Sequence, residues 1–133
     1  MKRLFILLYV LICVTSLRAE MSVKSCTVRE TDLDARINYP VTDSDGSLCA
    51  LIKMETTETG FDFDAGQLGI MKVEQKDKEV WVYVPRGVKH LTIKHPKLGM
   101  CTHNFEAPIE SATVYELELS AAKRSYYQEQ KIN

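Results

Sequence analysis

The sequence predicts an all-β fold: a small antiparallel β-sandwich of about seven or eight strands, Ig-like or prealbumin-like, preceded by a signal-peptide helix. Three observations support this prediction. Apolar and polar residues alternate with period two in several short runs, and turn-forming residues separate these runs at roughly ten-residue spacing. No segment after the N-terminal stretch keeps a helical period of about 3.6 residues. Two sheets that each bury one alternating face would enclose the core.

The chain is long enough for one domain. Subtracting an expected leader of 19 residues from the 133 of the chain leaves 114 for the mature protein. Hydrophobic residues make up 45% and charged residues 26% of the sequence. This balance is typical of a soluble globular protein and excludes a disordered, collagen-like or polytopic membrane protein.

The N-terminus has the pattern of a signal peptide. A basic Met-Lys-Arg start precedes residues 4–14, which carry no charge, and Ala19 is a small residue at the expected cleavage point. An uncharged run of this length spans only about half of a ~30 Å hydrocarbon core, which argues against a permanent membrane helix. Cys13 is not a lipidation candidate because Ile12 before it is bulky. We expect residues 1–19 to be removed and the protein to be exported, to the periplasm, the cell surface or the medium.

The charge of the mature chain excludes one class of partner. Without Lys2, Arg3 and Arg18 the basic residues fall from 17 to 14, against 18 acidic residues, so the mature chain carries about −4. No cluster of basic residues with interleaved aromatics is visible in the sequence. We therefore expect no nucleic acid as a partner.

The alternating runs define the strands in order. Residues 32–39 alternate strictly, with apolar side chains at every second position from Leu33 to Tyr39. A turn at residues 42–47 connects them to residues 48–54, a nearly continuous apolar run typical of a central strand covered on both faces. The remaining predicted strands are residues 61–64, 70–74, 79–84, 89–94, 100–105 and 114–119, of which 79–84 is the strongest β segment.

Three cysteines and three histidines follow the leader. Export permits disulfides, and Cys49 with Cys101 is the candidate bridge; the alternative is that both are buried, apolar strand residues. The cysteine spacings match no zinc motif. We expect His103 to be partly buried and the other two histidines to lie at the surface, with no metal site among them.

Part of the sequence resembles a known family. The stretch YVPRGVKHLTIKHPKLG at residues 83–99, followed by a strand and by TVYELEL at residues 113–119, resembles the PEGA domain, a small β-sandwich module. The wider arrangement is similar to an N-terminal module of exported Bacteroidota proteins that often precedes formylglycine-generating-enzyme-like or repeat domains. The resemblance implies a domain at residues 32–120, with an N-terminal segment at 20–31 and a polar tail at 121–133. It implies an envelope setting more than an activity.

Two pairs of side chains are candidates for a ligand or partner surface. Trp81 and Tyr83 share one face of a strand, and they would form an exposed platform if the valines on the opposite face fill the core. The alternative is that the aromatics are core residues and the valines pack under a loop. Asp62 and Asp64 also share a strand face and could join a cation site completed from another loop; a solvated acidic face is the alternative.

The sequence contains no motif for catalysis. G-x-S-x-G, H-E-x-x-H and a phosphate-binding Gly-rich loop are all missing, so we expect no catalytic residue, no metal ligand and no cofactor. The expected function is a non-catalytic binding or scaffolding module of the cell envelope, monomeric, with a protein or an envelope glycan as partner. A structural or adhesin-like subunit that associates by edge-strand addition is the alternative, and a small hydrolase ranks third.

Overall fold

The protein is a sandwich of two β-sheets. A computed structural model describes residues 21–120, in which eight strands and two short helical turns follow one another. The all-β prediction is confirmed by this architecture. The strands are β1 (Ser22–Val28), β2 (Ala50–Glu55), β3 (Asp62–Asp64), β4 (Lys72–Gln75), β5 (Glu79–Val84), β6 (His90–His95), β7 (Gly99–Asn104) and β8 (Val114–Ser120), and the turns are Asp34–Asn38 and Gly66–Leu68.

The two sheets differ in size. The larger sheet has the strand order β1-β8-β2-β5-β4, and the smaller sheet has the order β3-β6-β7. Neighbouring strands pair antiparallel except β2 and β8, which run parallel in the middle of the larger sheet. β2 therefore occupies the central position that its apolar run predicts. Within the described residues the sheet edges are β1 and β4, and β3 and β7.

The main core lies between the sheets. The three valines of β5 are at most 1% exposed and belong to this core, while Trp81 and Tyr83 of the same strand face the other side. Tyr115 and Leu117 of β8 also point into the core, as their alternation predicts. Each fully buried aliphatic side chain stabilises the fold by about 1.5–3 kcal/mol. Further core side chains with no exposed surface are Ala50, Ile52, Met54, Leu91 and Ile93.

Residues 32–39 do not form the strand that their alternation predicts. They contain a π-helical turn, Asp34–Asn38, in which the Asp34 carbonyl accepts the backbone N–H of Tyr39 at 3.0 Å. The segment crosses the outer face of the larger sheet instead of pairing at an edge, and it contacts that face through Ala35. Ile37, expected on the buried face, is 65% exposed.

β1 is a strand that the sequence analysis did not assign. Its residues are mostly polar, but it pairs antiparallel with β8 along its whole length. The register shifts between Val23 and Ser25, which leaves a bulge at Lys24. A bulge on an edge strand disturbs the row of backbone groups that another strand would need for pairing.

β1 and β7 lie beside each other on one lateral side of the sandwich, and the gap between them is closed at one end. There the Met21 N–H donates to the Leu98 carbonyl at 2.9 Å. His95 holds the adjoining turn, because its Nδ1 accepts the N–H groups of Lys97 and Leu98 at 3.1 and 3.2 Å. Its Nε2 donates to the Thr59 carbonyl at 2.8 Å. His95 is 7% exposed, so its predicted surface position is wrong. We call this region the closed end.

Among residues 21–120, no helix is long and apolar enough to cross a membrane. The expected signal peptide at residues 1–19, its cleavage site and the polar tail at residues 121–133 lie outside the described residues. Export and cleavage stay predictions from the sequence.

Candidate functional site

Trp81 and Tyr83 do not form an exposed platform. Both lie on the outer face of the larger sheet, but Trp81 is 7% and Tyr83 1% exposed. They pack with Ala35 and Val41 of the segment that crosses this face, and the Tyr83 hydroxyl donates to the Tyr39 carbonyl at 2.8 Å. Burial raises the pKa of Tyr83 to about 12. Each alternative of the sequence analysis is thus half right: the valines fill the core, and the aromatics are buried under a loop.

Charged residues hold this segment onto the sheet. Lys53 Nζ lies 2.6 Å from a carboxylate oxygen of Asp32 and 2.6 Å from one of Asp34. Burial alone would lower the pKa of Lys53, but the hydrogen bonds to the two carboxylates outweigh it and raise the pKa overall. The hydrogen bond from Lys53 also holds the pKa of Asp34 below its usual range. Since Lys53 Nζ lies 4.7 Å from the Trp81 ring centre as well, the network fastens the loop and does not present a reactive amine.

Asp62 and Asp64 lie on the outer face of the smaller sheet, whereas Trp81 and Tyr83 lie on the outer face of the larger one. Both carboxylates are exposed. Asp64 Oδ1 accepts the backbone N–H of Gly66 at 2.8 Å, and Asp62 Oδ1 accepts that of the next residue at 3.0 Å. The structure does not bring the two predicted pairs together, and the role of Asp62 and Asp64 as a ligand surface stays a prediction.

The candidate bridge between Cys49 and Cys101 is not formed. The alternative predicted that both cysteines are buried, and Cys49 is buried while Cys101 is partly buried. Both are free thiols, as is Cys26. Cys49 belongs to the outer cluster, whereas Cys101 packs against the main core from the smaller sheet. The larger sheet therefore separates them, and a disulfide needs Cα atoms within about 7 Å of each other. Burial raises the pKa of Cys49 to about 11, which keeps this thiol protonated at neutral pH.

Three carboxylates on the outer face of the larger sheet lie close together. Oxygen atoms of Glu55, Glu116 and Glu118 are within 4.8 Å of one another. Glu116 forms an ion pair with Arg29, and Glu118 forms one with Lys24 at 4.0 Å. Because these cations offset part of the negative charge and the side chains reach solvent, we interpret the cluster as a surface ion network.

A groove of about 410 Å³ opens between β1 and β7, at the opposite end of this lateral side from the closed end. Cys26 and Val28 of β1 line it on one side, and His103 and Phe105 line it on the other. Tyr115 of β8 lies between them. We call this the lateral groove; its rim carries three glutamates, Glu30, Glu106 and Glu110.

Aromatic rings form much of the groove. The ring centre of Phe105 lies 4.9 Å from that of His103, edge to face, and 6.0 Å from that of Tyr115. The Tyr115 hydroxyl accepts the backbone N–H of Glu110 at 3.0 Å, which fixes the loop after β7 against β8. The groove therefore offers apolar ring surface next to carboxylates on a fixed loop.

Burial keeps three titratable side chains of the groove uncharged at neutral pH. It raises the pKa of Cys26 to about 11 and also raises the pKa of Tyr115. It lowers the pKa of His103 below the ordinary value of 6.5. No lysine or arginine lines the groove. Its charge at neutral pH is consequently that of the three rim glutamates.

No pattern in the sequence predicts this groove. Its residues come from β1, from the end of β7 with the loop that follows, and from β8, and no local motif connects these segments. The one local signal was the short acidic loop at residues 106–110 directly after Phe105. The strand assignment of β1, which was missed, is what places Cys26 and Val28 opposite this loop.

Comparison of the chain with known proteins found no match among protein-family models, curated proteins or solved structures. The geometry of residues 21–120 is therefore the basis for assigning a function.

Proposed function

We propose that this protein is an exported, non-catalytic binding module of the cell envelope and that the lateral groove is its binding surface. The observation that carries the proposal is the concave volume of about 410 Å³ lined by aromatic rings, with polar groups on its rim. Ligand sites typically occupy about 300–1,000 Å³ and combine apolar walls with a few polar groups. The resemblance to the PEGA domain supports a small module in an envelope setting.

The protonation states in the groove support binding over catalysis. A nucleophilic cysteine needs a lowered pKa, and burial instead raises the pKa of Cys26 to about 11. The His103 ring contacts Phe105 edge to face, and no hydrogen bond within residues 21–120 joins it to a hydroxyl or thiol. The groove thus contains neutral contact surfaces rather than an activated nucleophile with its base.

Export is supported by the basic start and the uncharged stretch at residues 4–14. N-terminal sequencing of the protein isolated from its own cells tests this part. We expect the first residue to be Glu20; a sequence beginning at Met1 would contradict export by cleavage.

A structural subunit that assembles by edge-strand addition is the second candidate, favoured by the edge strands of both sheets. Two features oppose open-ended assembly. The bulge at Lys24 disturbs the β1 edge, and Lys72 and Glu74 place charges on the β4 edge. Sedimentation at high protein concentration distinguishes the candidates, because an assembling subunit would form multimers and a binding module would stay a monomer.

The binding surface can be tested by nuclear magnetic resonance titration of the purified protein. We expect p-cresol, a small aromatic probe, to shift the amide signals of Cys26, Val28 and His103. N-acetylglucosamine tests the glycan alternative in the same way. Shifts confined to the surroundings of Trp81, or no shifts with either probe at millimolar concentration, would contradict the assignment of the groove.

Two tryptophan substitutions provide a matched control. Val28→Trp adds a bulky ring at the groove wall, whereas Met100→Trp adds the same ring at a comparably exposed strand position outside the groove; the native side chains are 49% and 55% exposed. We expect p-cresol binding to be lost in the first variant and kept in the second. Equal p-cresol binding by the two variants would show that the groove is not the binding surface. Ester hydrolysis that depends on His103 would overturn the non-catalytic part of the proposal.

A further inference from the structure

We infer that the lateral groove binds an extended peptide segment and takes up a lysine or arginine side chain from it. This inference rests on the proposed function and names the partner of the same groove. Three features lead to it: the charge of the rim, the rings behind the rim, and the free backbone groups of the neighbouring β1 edge.

The rim is negatively charged and no lysine or arginine lines the groove itself; Arg29 and Arg36 line the neighbouring surface pocket, which Glu30 and Glu110 also line. Glu30, Glu106 and Glu110 are all exposed, and none of them forms an ion pair with another residue in the range 21–120. By contrast, two of the three clustered glutamates on the outer face are matched by Arg29 and Lys24. The excess of negative charge at the groove is complemented by a cationic ligand.

The rings indicate an organic cation in preference to a metal ion. An ammonium or guanidinium group within about 6 Å of an aromatic ring centre is attracted to the ring face. Phe105 and Tyr115 supply such rings behind the rim, and Val28 supplies apolar surface for an aliphatic stem. Lysine and arginine combine an aliphatic stem with a cationic head, which matches apolar walls below an acidic rim.

The free edge of β1 indicates a peptide in preference to a small cation. The Arg29 N–H donates to the Val114 carbonyl at 2.8 Å, so Arg29 directs its backbone groups toward β8. Backbone direction alternates along an antiparallel strand, so Cys26 and Val28 direct their N–H and C=O groups away from β8. The same two residues line the groove with their side chains. A segment that pairs with them would place every second side chain in the groove.

The available edge is short. The bulge at Lys24 ends regular pairing geometry on one side, and β1 ends at Val28 on the other. A peptide of about three residues covers this length, and its first and third side chains, which lie opposite Cys26 and Val28, face the groove. The occupant we infer is therefore a short stretch of a partner protein, extended and carrying a basic residue opposite Cys26 or Val28.

Isothermal titration of the purified protein with matched peptides tests the inference. The probes are acetyl-Lys-Val-Val-amide, its norleucine analogue, which keeps the stem and lacks the ammonium group, and N-acetyl-lysine amide, which lacks the two further residues. We expect the lysine peptide to bind about tenfold more tightly than each of the other two, since one lost interaction of about 1.4 kcal/mol corresponds to a factor of ten. Added salt should reduce the advantage over norleucine.

Two triple variants of equal net charge locate the effect. Glu30→Gln with Glu106→Gln and Glu110→Gln removes the rim charge, and we expect it to reduce the preference for lysine over norleucine to less than twofold. Glu55→Gln with Glu116→Gln and Glu118→Gln removes the same charge on the outer face of the larger sheet. The preference should persist in this control.

The outcomes separate this inference from the proposed function. If p-cresol shifts the groove signals but the lysine and norleucine peptides bind equally, the inference is overturned and the groove stays a binding surface. If N-acetyl-lysine amide binds as tightly as the lysine peptide, the peptide part is overturned. If neither p-cresol nor N-acetylglucosamine shifts the groove signals, the proposed function fails, and the inference that rests on it fails too.

Discussion

The closed end and the lateral groove lie on the same side of the sandwich, yet they are built in opposite ways. At the closed end, both ring nitrogens of His95 are in hydrogen bonds, and its ring centre lies 4.7 Å from that of Phe61. Met21 and Leu98 join the two strands there by a backbone hydrogen bond. At the groove, aromatic rings line an opening of about 410 Å³, and the three glutamates have no ion-pair partner within residues 21–120.

This difference shows which end serves the stability of the fold. A buried polar side chain with all its hydrogen bonds made adds to stability, whereas like charges gathered around an opening do not. We conclude that the closed end holds the two sheets together. We proposed that the groove contacts another molecule, and substitutions at the two ends should therefore have different consequences.

The largest effect is expected at the closed end. His95→Ala removes the acceptor of two backbone N–H groups and the donor to Thr59, and we expect the free energy of unfolding to fall by about 3 kcal/mol. Urea unfolding measures this change. The exposed neighbour provides the control, since Lys94→Ala should change the free energy by at most about 0.5 kcal/mol. Similar losses in both variants would mean that His95 does not hold the turn.

A smaller loss is expected at the groove. Phe105 is partly buried and packs against the main core from one side only, so Phe105→Ala should lower the free energy of unfolding by about 1.5 kcal/mol. The same urea experiment measures it. A loss as large as that of His95→Ala would place Phe105 in the structural core and weaken the contrast between the two ends.

The contribution of His103 to the pH dependence of the free energy of unfolding should be smaller than the loss expected for Phe105→Ala. Its pKa is lower in the folded protein than its ordinary value of 6.5, so the unfolded chain binds the proton more readily. The free energy of unfolding is consequently highest above pH 6.5 and falls as the pH drops through this value, by less than about 1 kcal/mol because solvent screens the partly exposed ring.

Urea unfolding of the wild type and of His103→Gln, at about pH 8 and about pH 5.5, isolates this contribution. Glu30, Glu106 and Glu110, together with Cys26 and Tyr115, face the same groove and are present in both proteins. Their contributions largely cancel in the difference. An equal decrease in the free energy of unfolding of the two proteins on acidification would show that His103 does not contribute to the pH dependence of stability.

The smallest effect is expected for the rim. The triple variant Glu30→Gln, Glu106→Gln and Glu110→Gln breaks no ion pair in the described part of the chain, so its free energy of unfolding should stay within about 0.5 kcal/mol of the wild type. Thermal unfolding followed by circular dichroism measures the change. A large destabilisation would indicate that these glutamates stabilise the loop after β7, in contradiction to a role in binding.

Much of the fold could be predicted from side-chain alternation. The valines of β5, the apolar run of β2 and the alternation around Tyr115 all reported real buried faces, because each strand packs one face against the main core. Alternation is strictest at residues 32–39, and there the strand that it predicts is wrong, because the segment lies across a sheet face instead of joining an edge. Alternation does not indicate β1, since an edge strand with half-buried side chains needs few apolar residues.

The candidate site was much harder to predict than the fold. Two large aromatics on one strand face predict a ligand platform at Trp81 and Tyr83, but a separate loop covers them, and no periodicity within β5 indicates that loop. The groove depends on the pairing of β1 with β8 and on the loop after β7. Pairing between distant segments is set by tertiary packing, which short-range sequence patterns do not contain.

The position of β8 between β1 and β2 determines when the protein can fold. Val23 pairs with Leu119, so the first strand has no partner until the last one has been synthesised, and β2 keeps an open apolar edge until then. Contacts between such distant residues form slowly, because a long loop must close before they can be made. A nascent chain of this topology therefore cannot complete the larger sheet until β8 has been synthesised.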